Sequence, residues 1–184
     1  RIFNRSLLSA FFIYSSSFSM VFLLSLYLQY IHGLSPSGAG QIVLIQTLIM
    51  MVLAPLTGRL SDRFEPRILS TFGCALFVVG YAMLYRLDID TSMSYVMGAL
   101  VFLGLGFGFF SSPNNNAAMG SVSPDRLSNA AVMINLARTM GNMMSSAIVM
   151  TLFSVTMGSA AITPELYPQL LWVVKVTMAL SMLY

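Results

Sequence analysis

The stretch Gly58-Arg59-Leu60-Ser61-Asp62-Arg63-Phe64-Glu65-Pro66-Arg67 is the densest group of charges in this chain. Five of its ten residues ionise, and long apolar runs flank it on both sides. Because an unpaired charge within a lipid bilayer costs several kcal/mol, a charged turn between two apolar helices must lie in water at a membrane face. Its three arginines are typical of the cytoplasmic face. The alternative is a plain solvated turn that only orients its two helices.

The composition of the whole chain indicates an integral membrane protein. Of the 184 residues, 57% are hydrophobic and 8% are charged, whereas a soluble domain carries about 25% charged residues. The net charge of +3 does not indicate nucleic-acid binding, because the basic residues lie at helix ends, as topology signals do. A single cysteine, Cys74, excludes an internal disulfide and a cysteine metal site, and we expect neither metal nor cofactor.

Six stretches are long and apolar enough to span a bilayer, which takes about 20 residues. They are predicted at residues 7–31, 37–57, 67–86, 93–112, 127–156 and from 167 onward. Ser35-Pro36 is a helix-start signal, a capping hydroxyl followed by proline in the first turn, and Pro55 predicts a kink. Residues 113–116, a proline followed by three asparagines, are either a loop or the kinked end of a long fourth helix.

The basic residues predict the orientation of these helices. With the N-terminus inside, six of the nine basic residues fall on the cytoplasmic side: Arg1, Arg5, Arg59, Arg63, Arg67 and Arg126. Only Arg86 falls outside, while Arg138 and Lys175 lie within helices. The reverse orientation violates the positive-inside rule. We therefore expect a multi-pass cell-membrane protein whose N-terminus and loop 58–67 are cytoplasmic.

The charged stretch also resembles a known signature. Gly58, Leu60, Asp62 and Arg63 fit the loop motif of the major facilitator superfamily, while Glu65 and Pro66 stand where a glycine and a basic residue are usual. Residues 28–40 and 135–141 resemble the fourteen-helix drug:proton antiporters, the EmrB/QacA-like branch. The resemblance implies an all-α integral membrane fold, a six-transmembrane-helix half of a major facilitator.

The same resemblance implies how the chain fits into a longer protein. Residues 1–184 would be the C-terminal six-helix repeat, with an N-terminal half and two extra helices missing upstream. The chain begins at Arg1 rather than Met and stops inside an apolar run, so we expect a fragment whose last helix is truncated.

The function implied by the resemblance is secondary active transport by alternating access, with two six-helix halves rocking about a central site. The branch implies proton-coupled efflux of multidrug or toxic compounds, with small lipophilic or cationic substrates, in a bacterial inner membrane. No acid lies inside a predicted helix to serve as the titrating carboxylate. A narrow-substrate facilitator of the same superfamily is the alternative within the family.

The charged stretch is a candidate gating loop, formed by Gly58, Arg59, Asp62, Arg63 and Arg67. Asp62 can cap a neighbouring helix N-terminus, or it can pair with Arg59 or Arg63. Gly58 would let two backbones approach. We expect Asp62→Asn to lower turnover more than expression, and equal transport per folded molecule would contradict the gate.

Candidates for the translocation pathway lie within the helices. Arg138 is about eleven residues beyond Leu127, roughly 16 Å into the membrane, where an ionisable residue is a functional hypothesis by default. Snorkelling, or pairing with backbone carbonyls, is the alternative, and a carboxylate partner is expected in the missing half. Asn135 and Asn142 share its predicted helix face, although they could equally form interhelical hydrogen bonds.

Weaker pathway candidates are Gln29 and Gln46, and Lys175 could snorkel outward or reach the cavity. Close helix packing is predicted at Gly104 and Gly108 in the fourth helix and at Gly141 and Ser145 in the fifth. Fifteen methionines and thirteen phenylalanines would suit an adaptable pocket, although ordinary packing accounts for most of them.

Two further classes of protein compete with a transporter. An intramembrane protease would need a serine held against a histidine base, but the single histidine, His32, lies at an outer helix end and no G-x-S-x-G elbow is present. We therefore expect no enzyme. A six-helix channel or scaffold subunit would need a filter-like loop at membrane depth, and the visible loops are short.

Overall fold

The computed structural model describes residues 2–61, 63–156 and 164–183. Six α-helices run in order: α1 (Ile2–Tyr30), α2 (Pro36–Leu60), α3 (Pro66–Tyr85), α4 (Met93–Gly120), α5 (Leu127–Thr156) and α6 (Tyr167–Met182). Short 3-10 turns, Pro124–Arg126 and Pro164–Leu166, precede α5 and α6. No strand occurs in the described ranges, so the predicted all-α class is confirmed.

The helices α1 to α4 are each long and apolar enough to cross a membrane. α5 is 30 residues long but is not among these candidate spans, because polar residues interrupt its apolar sequence. α6 has 16 residues, fewer than a spanning helix needs. The structure thus gives the six predicted helices, of which four meet the length and apolarity of a span.

The local start and stop signals explain most of the helix ends. The Ser35 hydroxyl accepts a hydrogen bond from the Gly38 backbone N–H at 3.1 Å, which confirms the predicted cap of α2. Gly33, with φ of 66°, ends the turn after α1 in a conformation that costs glycine no strain. Pro66 opens α3 in its first turn.

The fourth helix is longer than its apolar run. α4 continues through Pro113 and the three asparagines to Gly120, so the alternative of a loop at residues 113–116 is wrong. α2 likewise continues through Pro55 to Leu60. A proline inside a helix removes one backbone hydrogen bond, and membrane helices tolerate this where neighbouring helices satisfy the freed groups.

The helices pack around α1 and α4. α4 lies against α2 on one side and α3 on the other, α1 lies against α5 and α6, and α3 also packs on α6. The core between them holds large side chains with almost no exposed surface, among them Tyr27, Tyr81, Leu100, Leu103 and Phe110.

The bundle has two distinct ends. The loop end contains the start of α1, the turn between α2 and α3, and the end of α4; the His32 end contains the opposite termini. Five described arginines lie at the loop end, namely Arg5, Arg59, Arg63, Arg67 and Arg126, while Arg86 lies at the His32 end. The structure therefore places these five arginines at one end of the bundle, and the cytoplasmic orientation of that end stays a prediction.

Candidate functional site

Three consecutive side chains of α4 join three other helices at the loop end. Asn114 Nδ2 donates to the Ser6 carbonyl of α1 at 3.2 Å. Asn115 Oδ1 accepts from Arg138 Nη2 of α5 at 2.7 Å. Asn116 Nδ2 donates to the Ser61 hydroxyl, just beyond α2, at 2.6 Å. We call Asn114, Asn115 and Asn116 the asparagine cluster.

The helical conformation of the asparagine cluster explains why it reaches three partners. Consecutive residues of an α-helix point about 100° apart, so three in a row cover most of the circumference of α4. Asn114 is buried, Asn115 is half-buried and Asn116 is exposed. A loop at these positions would not fix the three directions, so the extension of α4 past Pro113 creates the cluster.

Arg138 lies where α1, α4 and α5 meet. Its guanidinium carbon stands 5.2 Å from the centroid of the Tyr14 ring of α1, a distance at which the ring face attracts a cation. Its Nη2 is bonded to Asn115, whereas its Nε is buried without a hydrogen-bond partner among the described residues. The structure therefore places a cation between three helices, against a neutral amide and an aromatic ring.

The Arg138 side chain is directed toward the loop end. Side chains tilt toward the N-terminus of their own helix, which for α5 is the loop end. Its partner Asn115 is five residues before the end of α4, roughly 8 Å from that end at 1.5 Å per residue, whereas its own backbone is roughly 16 Å from the start of α5. This placement matches the snorkelling alternative, with Asn115 as the acceptor.

The three polar residues predicted to share one face of α5 have different surroundings in the structure. Arg138 lies on the stripe that includes the buried residues Ile134, Gly141 and Ser145, and this stripe packs on α1. Asn135 is exposed and Asn142 is half-buried, and neither is hydrogen-bonded to Arg138 in the described part of the chain. The structure therefore brings Arg138 together with Asn115 and Tyr14 instead.

The remaining pathway candidates are scattered. Gln29 Nε2 donates within α1, to the Ser25 hydroxyl at 2.9 Å and the Ser25 carbonyl at 3.2 Å. Gln46 is 8% exposed, and its Oε1 has no partner among the described residues. Lys175 is half-buried in α6.

The candidate gating loop contacts α4 at two points. A Cβ added to Gly58 would stand 2.8 Å from the Ser112 hydroxyl of α4, and Ser61 accepts from Asn116. Arg59, Arg63 and Arg67 are exposed, and none forms an ion pair with a described residue. Asp62, with its predicted capping or pairing role, lies outside the described residues.

Glycines bring the helix backbones together at the predicted packing positions. A Cβ on Gly104 would stand 2.8 Å from the Gln46 carbonyl oxygen, and one on Gly108 would stand 2.6 Å from Leu53 Cβ, both on α2. A Cβ on Gly141 would stand 2.5 Å from the Phe11 carbonyl oxygen of α1. One turn further along α5, the Ser145 hydroxyl donates to the Ser19 hydroxyl at 3.0 Å and accepts from the Ser19 N–H at 2.8 Å.

A cleft of about 670 Å³ opens at the loop end between α1, α3 and α4. Arg5, Arg67 and Glu65 line it, together with Asn114 and Asn116. One face of the asparagine cluster is therefore next to solvent-accessible space. Among the described residues, no group of three or more His, Cys, Asp and Glu is arranged to hold a metal ion.

Tyrosines join the helices at the His32 end, where Tyr95 of α4 donates to the Met83 carbonyl of α3 at 3.2 Å. Tyr27 of α1 donates to the Asp88 carbonyl in the turn between α3 and α4 at 2.7 Å, and His32 Nε2 lies 3.2 Å from the Tyr27 hydroxyl. The described partner of the histidine is thus a tyrosine rather than the serine that a protease would require.

The residues that sequence reasoning missed are the partners of Arg138. Tyr14 carries no sequence signal, because it stands in an ordinary apolar helix. The asparagine run was visible, but its polarity favours a loop as much as a helix end. A partner on another helix is a tertiary contact, which a one-dimensional pattern does not contain.

Comparison with known proteins gives consistent relatives. The riboflavin transporter RibZ of Clostridioides difficile is 33% identical over 113 residues, which is 61% of this chain and 25% of that protein. The multidrug efflux pump LfrA of Mycolicibacterium smegmatis is 26% identical over 168 residues, 89% of this chain and 33% of LfrA. The lincomycin resistance protein LmrB of Listeria monocytogenes is 25% identical over 153 residues, 83% of this chain and 32% of LmrB.

This chain therefore spans only about a quarter to a third of the length of these relatives. All three are transporters or resistance proteins by name, and none is named as an enzyme. The family model for the Major Facilitator Superfamily matches residues 1–146, most of the chain. With its six helices and apolar spans, this chain belongs to the Major Facilitator Superfamily.

Proposed function

We propose that the chain is the C-terminal six-helix half of a secondary active transporter that exports small drug-like molecules by alternating access. The observation that carries the proposal is the position of Arg138 within α5, where three helices meet in a bundle of this family. Ionisable residues inside membrane helices mark substrate or ion pathways. The names of LfrA and LmrB support drug export rather than another cargo.

The asparagine cluster supports rigid-body motion of this half. Alternating access in this family is a rocking of one helical repeat against the other, which requires each repeat to move as a unit. The cluster ties α1, α5 and the end of α2 to α4 within about two turns of the loop end. We infer that it keeps this end of the bundle together while the second half moves against it.

The exposed arginines of the gating loop fit a closing contact with another part of the protein. Arg59 lies in the last turn of α2, Arg63 in the turn that follows, and Arg67 in the first turn of α3. Gly58 and Ser61 contact α4 in this region. A gate needs contacts that form in one state and break in the other. We propose that these three arginines, together with Asp62, make such contacts at the cytoplasmic face, which the positive-inside rule assigns to the loop end.

Proton coupling and a bacterial inner-membrane location belong to the same proposal. Both rest on the resemblance to the drug:proton antiporters. The described helices contain no Asp or Glu, so the titrating carboxylate would lie elsewhere in the full polypeptide.

A narrow-substrate transporter is the second candidate, and the relative RibZ favours it because that protein is named for a single vitamin. Family membership favours either candidate over the channel or scaffold subunit. The two candidates differ in how many unrelated compounds they move.

Inverted membrane vesicles that carry the full polypeptide test the proposal. An imposed pH gradient should drive accumulation of several dyes from a panel of cationic, neutral and anionic compounds, and accumulation should collapse with the gradient. Arg138→Ala should weaken it at equal protein level, with the exposed Arg126→Ala as the matched control. Accumulation of a single compound would favour the narrow-substrate transporter, and accumulation that ignores the gradient would contradict proton coupling.

A further inference from the structure

The helices of this half carry positive charge without negative charge. Within the described residues, none of the six α-helices contains Asp or Glu, whereas Arg138 and Lys175 lie in the middle of α5 and α6. The described acids are in turns at the two ends: Glu65, Asp88, Asp90, Asp125 and Glu165. Asp125 also faces its own neighbour, with 3.7 Å between Arg126 Nε and the carboxylate.

The described contacts of Arg138 orient its charge but do not neutralise it. Asn115 supplies an uncharged amide oxygen at 2.7 Å, and Tyr14 supplies the negative face of its ring. Both favour the cationic form of a guanidinium and leave its full charge in place. A guanidinium has five N–H donors. The contact with Asn115 uses one of them in a hydrogen bond, and the contact with the Tyr14 ring uses none.

The unused donors give the site a chemical preference. Nε–H is buried without an acceptor among the described residues, and a buried donor that lacks a partner is unfavourable until one arrives. The Arg138 residue also retains part of its exposed surface. A planar guanidinium matches carboxylate and phosphate geometry with two parallel hydrogen bonds, whereas it repels a cation in a medium of low dielectric constant.

We infer that Arg138 recognises an anionic group on the transported compound and disfavours cations at this position. The inference rests on the proposed transport function and narrows its substrates from drug-like molecules in general to organic acids at this site. Asn115 is then a positioning residue, because its amide oxygen holds Nη2.

Two dyes with one ring skeleton and opposite charge test the inference. Fluorescein is an anionic xanthene and rhodamine 123 is a cationic one. Binding of each to the full polypeptide in lipid nanodiscs can be followed at equilibrium by fluorescence anisotropy. We expect the wild-type protein to bind the anion more tightly, and Arg138→Gln to weaken anion binding about tenfold or more while cation binding is unchanged or tighter.

Asn115→Asp provides a second variant that keeps the arginine. A carboxylate in place of the amide would pair with the guanidinium and occupy its charge. We expect this variant to lose the anion preference as Arg138→Gln does, while Asn115→Gln retains it. The matched control is Arg126→Gln, which removes an exposed arginine and should move neither dye.

Several outcomes would overturn the inference. The inference is contradicted if the wild-type protein prefers the cationic dye or binds neither dye. A carboxylate elsewhere in the polypeptide that neutralised Arg138 would give that result. Equal weakening of both dyes in Arg138→Gln would assign the residue a structural role alone. The binding experiment needs no pH gradient, so its outcome does not depend on the outcome of the vesicle experiment. Failure of the anion preference can therefore be told apart from failure of the proposed transport.

Discussion

α4 packs through glycines in its middle and makes hydrogen bonds through asparagines nearer its end, and we call these two stretches its glycine half and its asparagine half. Gly104, Gly106 and Gly108 place the backbone of α4 against α2 and α3 with no room for a Cβ. Asn114, Asn115 and Asn116 reach α1, α5 and the end of α2 through side-chain amides. One helix therefore uses two kinds of contact, each confined to one stretch of its length.

The two kinds of contact differ in what they tolerate. Protein interiors are close-packed, so a backbone contact that lacks space for one methyl group cannot yield without moving a helix. A side-chain hydrogen bond between membrane helices contributes only about 0.6 kcal/mol on average and can be exchanged for water near an interface. The glycine half is thus suited to a fixed structure. The asparagine half is suited to contacts that hold the loop end together but contribute little free energy each.

The largest expected effect comes from Gly73→Ala at the glycine contact between α3 and α4. Its Cβ would stand 2.8 Å from both the Gly106 carbonyl oxygen and the Phe110 backbone nitrogen, so backbone must move. Overpacking of this kind costs about 1–3 kcal/mol. We expect a clearly lower thermal unfolding midpoint of the purified full polypeptide.

Gly98→Ala is the matched control for that substitution, because the same methyl group on α4 would meet only the Met83 methyl carbon, at 3.6 Å. An alanine there also favours the helix over glycine by roughly 0.5–1 kcal/mol. Equal midpoints for the two variants would show that the glycine half has more room than the structure gives it.

A smaller loss is expected from Asn114→Ala, which removes the buried member of the asparagine cluster. The variant loses the hydrogen bond to the Ser6 carbonyl and leaves space around a side chain that is 7% exposed. Interhelical hydrogen bonds in membrane proteins reach at most about 1.7 kcal/mol, so the midpoint should fall less than in Gly73→Ala. A drop as large as that of the glycine variant would contradict the distinction between the two halves.

How far the sequence predicts this architecture depends on where the deciding contact lies. Ser35 and Pro36 predict the start of α2 because a cap is a local contact, and the spacing of Gly104 and Gly108 predicts a close-packing face because helical periodicity is local too. The arginines of loop 58–67 predict a membrane face for the same reason. These features need no knowledge of a second helix.

The features that the sequence could not settle all depend on another helix. Pro113 and three asparagines fit a loop or a kinked helix end by composition, and the structure makes them helical, with partners at Ser6, Arg138 and Ser61 across the bundle. The spacing of Asn135, Arg138 and Asn142 predicts a shared helix face. Of the three side chains, only that of Arg138 has a described contact with α1 and α4. Family membership predicts the helix bundle. The hydrogen-bond partners of each polar side chain, however, are known only once the packing of the helices is known.

The smallest expected effect, and the sharpest test of the asparagine half, is Asn116→Ala. Asn116 is exposed and its one described hydrogen bond reaches Ser61, at 2.6 Å, so global stability should change by less than about 0.5 kcal/mol, as for ordinary surface substitutions. The turn that carries Arg63 should nevertheless be released from α4. Backbone hydrogen exchange of residues 60–68 should accelerate severalfold, because opening free energies differ between segments of one structure, while exchange around Gly106 should not change.

Asn135→Ala removes another exposed asparagine, one whose amide has no described hydrogen bond, and should leave both segments as they are. If Asn116→Ala leaves the exchange of the turn unchanged as well, then the close approach of Gly58 to α4 holds the turn without the asparagine. The loop end would in that case depend on close backbone packing, as the glycine half of α4 does.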